Sequence, residues 1–327
     1  MRNQVVLGID TSCYTTSVAA VDLQGQVMGS FRRLLPVAVG KRGLRQSEAV
    51  FMHIRQLPQV ISELMESLSE PAPIAVCASS KPRDEDQSYM PVFQVGDAQA
   101  RILASVLGVP CFTSTHQRGH IAAARVGTGL EIDTPVLALH LSGGTMDMLL
   151  CDGDRLEQIG GTLDLHAGQL VDRTGVAMGL EFPAGPALER LARKGDSEAR
   201  LPVSMADHDL HCHLSGAETR IMQWIQNRTY SPEIIASEVY DLLARTVTRL
   251  LQGGMNQTGI RQALLAGGVA SSDLFRRLLK ERVMKSIPGM SISFGKQEYS
   301  GDNAVGIALL GLQAWNRIKD EQECRSM

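Results

Sequence analysis

Short apolar runs alternate with tight polar turns along this chain, and the same three-strand pattern opens twice. Residues 4–33 read strand, turn, strand, turn, strand, and residues 135–162 repeat that plan when Asp10 is aligned with Ser142. Each copy carries small hydroxyl or glycine residues in its first turn, where backbone N–H groups can approach an anion closely. The repeat therefore predicts two related lobes whose turns form a cleft suited to the phosphates of a nucleotide.

Helical periodicity fills the segments between these strands. It predicts helices over residues 47–68, 97–107 and 232–251, the third one stopped by Gly253-Gly254, and a last helix from Asp302-Asn303. Strands separated by helices imply crossovers and a partly parallel sheet. The order is ribonuclease H-like and predicts an α/β fold with two lobes. We expect residues 1–117 with helix 303–327 in one lobe, and residues 118–302, with helical insertions, in the other.

Composition narrows the class of protein. The 327 residues are 44% hydrophobic with a net charge of −3, which is typical of a soluble α/β protein and argues against a large electropositive surface for nucleic acid. No segment approaches the roughly 20 apolar residues of a membrane-spanning helix. Without any CxxC pair, the cysteines favour a reducing cytoplasm as the location. They are Cys13, Cys77, Cys111, Cys151, Cys212 and Cys324.

His116 and His120 are the sharpest candidates for a metal site. On a helix, residues i and i+4 lie on one face, so both imidazoles can reach one divalent metal. The motif lacks the glutamate of HExxH, and two histidines alone fit a solvated surface better than a metal site. A third ligand is required, and Asp302 is the candidate. Two histidines and one carboxylate would leave positions open for a substrate oxygen.

A second histidine-rich segment spans residues 207–213. Read as a strand, it places Asp209, His211 and His213 on one side and His208 on the other. A solvated strand edge explains this segment better than a metal site does.

Three further features bear on chemistry. Asp10 follows the first strand, where a carboxylate either positions a metal, water or phosphate or simply caps the turn. Gly267-Gly268 ends an apolar strand, where a purine or ribose could lie flat, although such turns also serve close packing. Walker, GxGxxG and serine-hydrolase patterns are absent from the sequence.

Seven sequence blocks, taken together, identify a family. GIDTSC, STHQRGH, LSGGT, HAGQLVDRTGVAMGL with FPAGP, LSGAET, LAGGV and SGDNAVGIA occur in one order from end to end. In that order and spacing the chain resembles the TsaD-type tRNA threonylcarbamoyladenosine transferases. This family belongs to the actin/hexokinase/Hsp70-like superfamily, which agrees with the duplicated lobes.

The resemblance implies a metal-dependent acyl transfer. One Fe or Zn ion would be held by His116, His120 and Asp302, and Asp10 and Ser12 would be catalytic residues. The N6 amine of adenosine 37 in a tRNA would attack the carbamoyl carbonyl of an acyl-adenylate, and adenylate would leave. A TsaB-like paralogous subunit and an ATPase are the implied protein partners. The implied nucleotide-binding residues are Ser142, Gly143, Gly144, Asp172, Gly185, Gly268 and Ser272.

The chain also departs from the family pattern at polar positions aimed at the reacting group. Tyr14-Thr15 replaces an acidic pair, and Thr145 replaces the histidine after Ser-Gly-Gly. Gln169 replaces the glutamate before the ribose-binding aspartate, and Ser272 replaces the asparagine after Gly-Gly. Residues 82–95 replace a glycine-rich stretch. These replacements indicate a diverged paralogue. Two alternatives to tRNA modification stay open: carbamoyl transfer to another acceptor, and a catalytically silent nucleotide-binding partner of a true family member.

Overall fold

The structure is a computed structural model that describes residues 3–12, 14–36, 44–85, 87–198 and 200–326. It divides into two compact units, Met1–Val126 with Glu298–Met327, and Gly127–Gln297. These limits differ by several residues from the expected boundaries after residues 117 and 302, because the histidine-bearing helix and the segment that carries Asp302 both belong to the first unit. Cys13 lies outside the described residues, and the other five cysteines are free thiols.

The first unit is built on a five-stranded sheet in the order β3-β2-β1-β4-β5. β1, β2 and β3 are antiparallel neighbours, whereas β4 and β5 run parallel to β1. Its elements up to residue 125 are β1 (Asn3–Thr11), β2 (Thr15–Val21), β3 (Val27–Leu34), α1 (Gln46–Ser67), β4 (Pro71–Lys81), α2 (Pro91–Leu107), β5 (Cys111–Thr115) and α3 (His116–Arg125).

The second unit repeats this order within a larger sheet, β12-β11-β6-β7-β8-β10-β9. β6, β7 and β8 are antiparallel, and β11 and β12 run parallel to β6, so the strand order of the first unit recurs. Its elements are β6 (Val136–Leu141), β7 (Met146–Asp152), β8 (Arg155–Thr162), α4 (Ala167–Ala177), α5 (Gly185–Ala192), β9 (Ser204–Ala206), β10 (His211–His213), α6 (Ser215–Gln226), α7 (Pro232–Thr258), β11 (Gln262–Ala266), α8 (Asp273–Ser286) and β12 (Ser291–Phe294).

The last helix, α9 (Val305–Ser326), returns to the first unit. Alternate residues of β1 face opposite sides of the sheet, so Leu7 packs with α1 and α2 while Val6 packs with α9. α9 also crosses α3 closely, since a Cβ at Gly306 would lie 1.8 Å from the carbonyl oxygen of Gly119. These contacts fix α3 beside the residues that begin α9.

Two predicted helix boundaries were wrong. α7 continues to Thr258 instead of stopping at Leu251, because Gly253 and Gly254 lie inside it as packing positions. A Cβ at Gly253 would lie 2.7 Å from the carbonyl oxygen of Asp209. α2 begins at Pro91 and not at residue 97, since a proline at the first helical position costs no hydrogen bond.

Candidate functional site

The two histidines predicted to bind metal lie at the start of α3. The helix begins at His116 itself, and its preceding residue, Thr115, accepts a hydrogen bond from the N–H of Arg118 through its side chain. The spacing of four places His116 and His120 on one face, with ring centroids 4.4 Å apart. Their Nε2 atoms lie 3.0 Å from each other, so both point toward one position.

Asp302 completes this group. Its Oδ1 atom lies 3.5 Å from Nε2 of His116 and 3.4 Å from Nε2 of His120. One ligand atom from each of the three residues lies within 4.8 Å of the others, and among the described residues no second group of three histidine, cysteine or acidic side chains does this. Two imidazoles and a carboxylate are donors that suit iron or zinc. The residues present therefore fit the metal that the sequence resemblance implies.

Asp10 contacts the Nδ1 side of the His116 ring, opposite the Nε2 atom that faces the other two residues. Its buried carboxylate accepts a hydrogen bond from Nδ1 of His116, with distances of 3.0 and 3.1 Å to its two oxygens. A proton on Nδ1 leaves the lone pair of Nε2 free for a metal, which is the usual arrangement of a carboxylate, a histidine and a metal. The hydroxyl of Ser79 donates to the same carboxylate over 2.5 Å. Sequence reasoning missed Ser79, because only the fold brings the end of β4 beside the end of β1.

Ser12 supports Asp302. Its hydroxyl donates to Oδ2 over 2.6 Å, which leaves Oδ1 facing the histidines. The carbonyl of Ser12 in turn accepts from Nε2 of His53, a fully buried residue. Burial lowers the pKa of His53 below its ordinary value. Asp10 and Ser12 therefore lie behind metal-ligand candidates and hold them in place.

The electrostatics of this group favour a cation. Burial acts to lower the pKa of His116, but the charges and hydrogen bonds of Asp10 and Asp302 outweigh it and raise this pKa to about 10. Burial likewise acts to raise the pKa of Asp302, but the hydrogen bonds from His116 and His120 hold it far below its ordinary value. The carboxylate of Asp302 thus stays ionised, and a positive charge is stabilised beside it.

In the second unit, the turn between β6 and β7 packs against the start of α4. The Ser142 hydroxyl accepts from the N–H groups of Gly144 (3.3 Å) and Thr145 (3.0 Å), and its carbonyl accepts from the N–H of Gly168 (3.0 Å). No atom of the described residues lies within 4 Å of the position that a Cβ would take at Gly143 or Gly144. A ligand therefore has room to approach the backbone at these two glycines.

Three other predicted nucleotide-binding residues meet around Tyr240. Asp172 on α4 accepts from the N–H of Ala184 over 2.8 Å, just before Gly185 begins α5. The Tyr240 hydroxyl donates to the carbonyl of Gly185 over 3.1 Å and is also hydrogen-bonded to Ser272. Burial raises the pKa of Tyr240 above its ordinary value. Sequence reasoning missed Tyr240, although its place in the apolar run of α7 was the available signal.

The turn after β11 completes the arrangement. Gly267 has a φ of +100°, and a Cβ there would lie 2.4 Å from the carbonyl oxygen of Leu141, the last residue of β6. Gly268 has open space above it, and Ser272 caps α8 by accepting from the N–H of Phe275 over 3.2 Å. The structure thus brings the predicted nucleotide-binding residues together at the carboxyl ends of β6 and β11.

The histidine-rich segment does not form a comparable site. Residues 207–209 have φ values of 48°, 54° and 70°, so they form a tight turn before β10 and are not part of a strand. Arg249 binds Asp209 through two contacts of 2.8 and 2.9 Å, and His211 lies 3.0 Å from Asp207. The expectation that Asp209 shares one strand face with the histidines was therefore wrong.

Asp164 organises the neighbouring start of α6. It accepts from the Ser215 hydroxyl (2.5 Å) and the N–H of Leu214 (2.8 Å), and it lies 3.4 Å from Nδ1 of His213. Burial opposes ionisation, but these hydrogen bonds outweigh it and lower the pKa of Asp164 to about 2. His213 therefore belongs to a structural network.

The chain is similar along most of its length to proteins of known name. Residues 47–309 match the model of the TsaD family, described as tRNA N6-adenosine threonylcarbamoyltransferase. The protein of that name from Pyrobaculum calidifontis is 31% identical over 96% of this chain and 89% of its own length.

Solved structures support the fold. HypF from T. kodakarensis superposes with a TM-score of 0.63 at 15% identity over 96% of this chain, which spans about half (48%) of that chain. A ROK family glucokinase from Streptomyces griseus gives a TM-score of 0.53 at 13% identity, covering 94% of this chain and 99% of that one. The predicted actin/hexokinase/Hsp70-like fold is thereby confirmed. No helix in the described part of the chain is both long and apolar enough to cross a membrane.

Proposed function

Since the chain belongs to the tRNA N6-adenosine threonylcarbamoyltransferase family, we propose that it transfers a threonylcarbamoyl group from an acyl-adenylate to N6 of an adenosine in tRNA. The observation that carries this proposal is the convergence of His116, His120 and Asp302, with Asp10 behind the first histidine. Such a supported donor set is what a metal-assisted acyl transfer needs, and a mere binding module has no use for it.

The residues of the first unit hold the reaction centre. His116, His120 and Asp302 would hold a divalent cation, iron or zinc by the chemistry of these three ligands, and it would supply Lewis acidity toward a carbonyl oxygen. Asp10 keeps the Nδ1 proton of His116 in place, so Nε2 is the nitrogen that would bind a cation in exchange for its own proton. Ser12 fixes the rotation of the Asp302 carboxylate through its 2.6 Å hydrogen bond.

The residues of the second unit bind the acyl-adenylate. Open space at Gly143 and Gly144 lets a phosphate approach the backbone of this turn. One oxygen of Asp172 accepts from the N–H of Ala184, and the other, which has no hydrogen-bond partner among the described residues, can accept from ribose hydroxyls. Gly185, Gly268 and Ser272 border the place of the nucleoside. In the transfer, a carbon–nitrogen bond forms, the bond between the carbonyl carbon and the phosphate oxygen breaks, AMP leaves with the electron pair, and the amine loses a proton to solvent.

The net charge of the chain bears on its proposed protein partners. A net charge of −3 gives no broad electropositive surface, so a TsaB-like paralogous subunit and an ATPase partner would help to deliver tRNA and to reset the site. A cytoplasmic location fits both this substrate and the free thiols.

A different acceptor is the second candidate. Tyr14, which is 43% exposed, and the buried Thr15 stand where the family pattern has an acidic pair. This departure from the family pattern close to Ser12 favours carbamoyl transfer to an acceptor other than tRNA. A silent nucleotide-binding partner is less well supported, because such a protein has no need for the supported donor set.

The test is transfer of a labelled threonylcarbamoyl group by the purified chain, with candidate protein partners, to unmodified tRNA. We expect label on adenosine in the wild type and none in His116→Ala. Binding of both metal and AMP without label on tRNA, and with tRNA affinity that does not fall with salt, would favour the second candidate. A wild-type chain that binds neither metal nor AMP would overturn both.

A further inference from the structure

The segment that follows β4 lies directly on the first turn of α3. The N–H of Gln117 donates to the carbonyl of Pro82 over 3.0 Å. Asp84 accepts from the Thr115 hydroxyl over 2.9 Å and from Nε of Arg118 over 2.6 Å, and the Nη2 atom of Arg118 forms an ion pair with the same carboxylate. This segment starts the stretch, residues 82–95, that replaces the glycine-rich part of the family pattern.

These contacts complete the N-terminus of α3. The first N–H groups of a helix have no partner within it, and a negative charge is favourable near them. Here Thr115 accepts from the N–H of Arg118, Pro82 accepts from that of Gln117, and Asp84 supplies the negative charge. Because α3 begins at His116, whatever fixes this first turn also fixes the direction of both imidazoles.

The pair of Asp84 and Arg118 lies on the side of α3 away from the metal-ligand candidates. Arg118 is two residues from each histidine, and residues at that spacing do not share a helix face. Both side chains of the pair are about three-quarters buried, at 26% and 24% exposure, and the carboxylate receives two N–H groups of one guanidinium. Such paired, charge-assisted contacts are stronger and more directional than an ordinary surface ion pair.

We propose that Asp84 is a positioning residue for the metal centre: it holds the first turn of α3 through Thr115 and Arg118 and thereby aims His116 and His120. It touches neither a metal ligand nor a reacting atom, so it acts only through the helix. This inference rests on the proposed metal site. It also gives a role to the start of the stretch that replaces the glycine-rich part of the family pattern, since residues 82–85 contact the first turn of α3.

The test is metal affinity, measured with zinc by competition with a chelator. We expect Asp84→Ala to weaken zinc binding by up to about 10-fold, the low end of the roughly 10- to 100-fold cost of losing a partner that touches a metal ligand directly, because Asp84 acts through the helix. Asp84→Asn keeps an acceptor for Thr115 but loses the charge, so its loss should be smaller. Glu85→Ala is the matched control, because its exposed side chain is one residue away and, among the described residues, the hydrogen bonds of Glu85 involve only its backbone carbonyl. AMP binding, which uses the second unit, should not change in any variant.

A metal-free readout separates this inference from the proposed function. Imidazole nitrogen NMR signals of His116 and His120 should shift or broaden in Asp84→Ala and stay unchanged in Glu85→Ala. If wild type binds no zinc, the proposed function fails, and this measurement alone judges Asp84. If Asp84→Ala does not fold, Asp84→Asn decides by both readouts. Zinc affinity and histidine signals equal to those of Glu85→Ala, even with lower thermal stability, would overturn the proposal.

Discussion

The two candidate sites of this chain differ in what forms them: side chains in one and mainly backbone in the other. In the first unit, Asp10, His116, His120 and Asp302 form a dense group of ionisable side chains, and each has a polar contact with another side chain. In the second unit, the turns at residues 142–145 and 267–272 offer mainly backbone, with open space above Gly143, Gly144 and Gly268. The first site is therefore organised by charge and the second by the shape of the chain.

This difference decides how each site can be damaged. A site made of side chains loses its function when one functional group is removed or turned. A backbone site tolerates such changes and loses its function when a side chain fills the space that the ligand needs. The two sites should therefore respond independently to substitution, since their residues belong to different units.

The sharpest separation is expected from His116→Ala/His120→Ala. Removing two of three donors should abolish stoichiometric zinc binding, a larger loss than the roughly 10- to 100-fold that follows loss of a supporting partner. Metal analysis after dialysis measures this, and AMP titration of the same sample should match wild type. His208→Ala, in the exposed turn of the second unit, is the control. Loss of both zinc and AMP binding in a folded double variant would contradict the claim that the two sites respond independently.

The next largest effect is expected at Asp172. Asp172→Ala should weaken AMP binding by about 10- to 100-fold, because hydrogen bonds to a charged group contribute about 1.5–3 kcal/mol. Isothermal titration measures this loss, and zinc affinity should stay at the wild-type value. Asp172→Asn keeps an acceptor for the N–H of Ala184 and so shows whether charge or loop position matters. Equal AMP affinity in all three proteins would remove Asp172 from the site.

The smallest effect on stability, and the most specific test of a backbone site, is expected from Gly268→Ala. Gly268 has helical φ and ψ of −60° and −39° and open space above it, so alanine should change the free energy of unfolding by less than about 0.5 kcal/mol. AMP affinity should nevertheless fall. Gly267→Ala is the contrasting variant, because its φ of +100° and the carbonyl of Leu141 should cost about 1–3 kcal/mol or more. Unchanged AMP affinity in Gly268→Ala would argue against ligand contact at this turn.

The sequence predicted which residues form these sites better than it predicted the contacts that hold those residues in place. Strand periodicity predicted the duplicated sheet, and the i, i+4 spacing predicted that His116 and His120 share a helix face. The contact of Ser79 with Asp10 and that of Asp84 with Arg118 join residues 69 and 34 positions apart, so no local pattern could indicate them.

The errors have a common physical cause. Gly253-Gly254 looked like a helix stop, but tertiary packing requires small residues inside α7 because the backbone of Asp209 and the side chain of Met148 approach there. The same turn at residues 207–209 broke the alternation expected for a strand. In both places long-range contacts override the local preference of the residues.

The central claim is that His116, His120 and Asp302 hold one metal ion, and X-ray absorption of the zinc-loaded chain tests it most directly. The account predicts a shell of nitrogen and oxygen donors at about 2.0–2.2 Å with imidazole scattering and no sulfur at about 2.3 Å. Sulfur in the shell, or a wild-type chain that does not retain zinc, would contradict it.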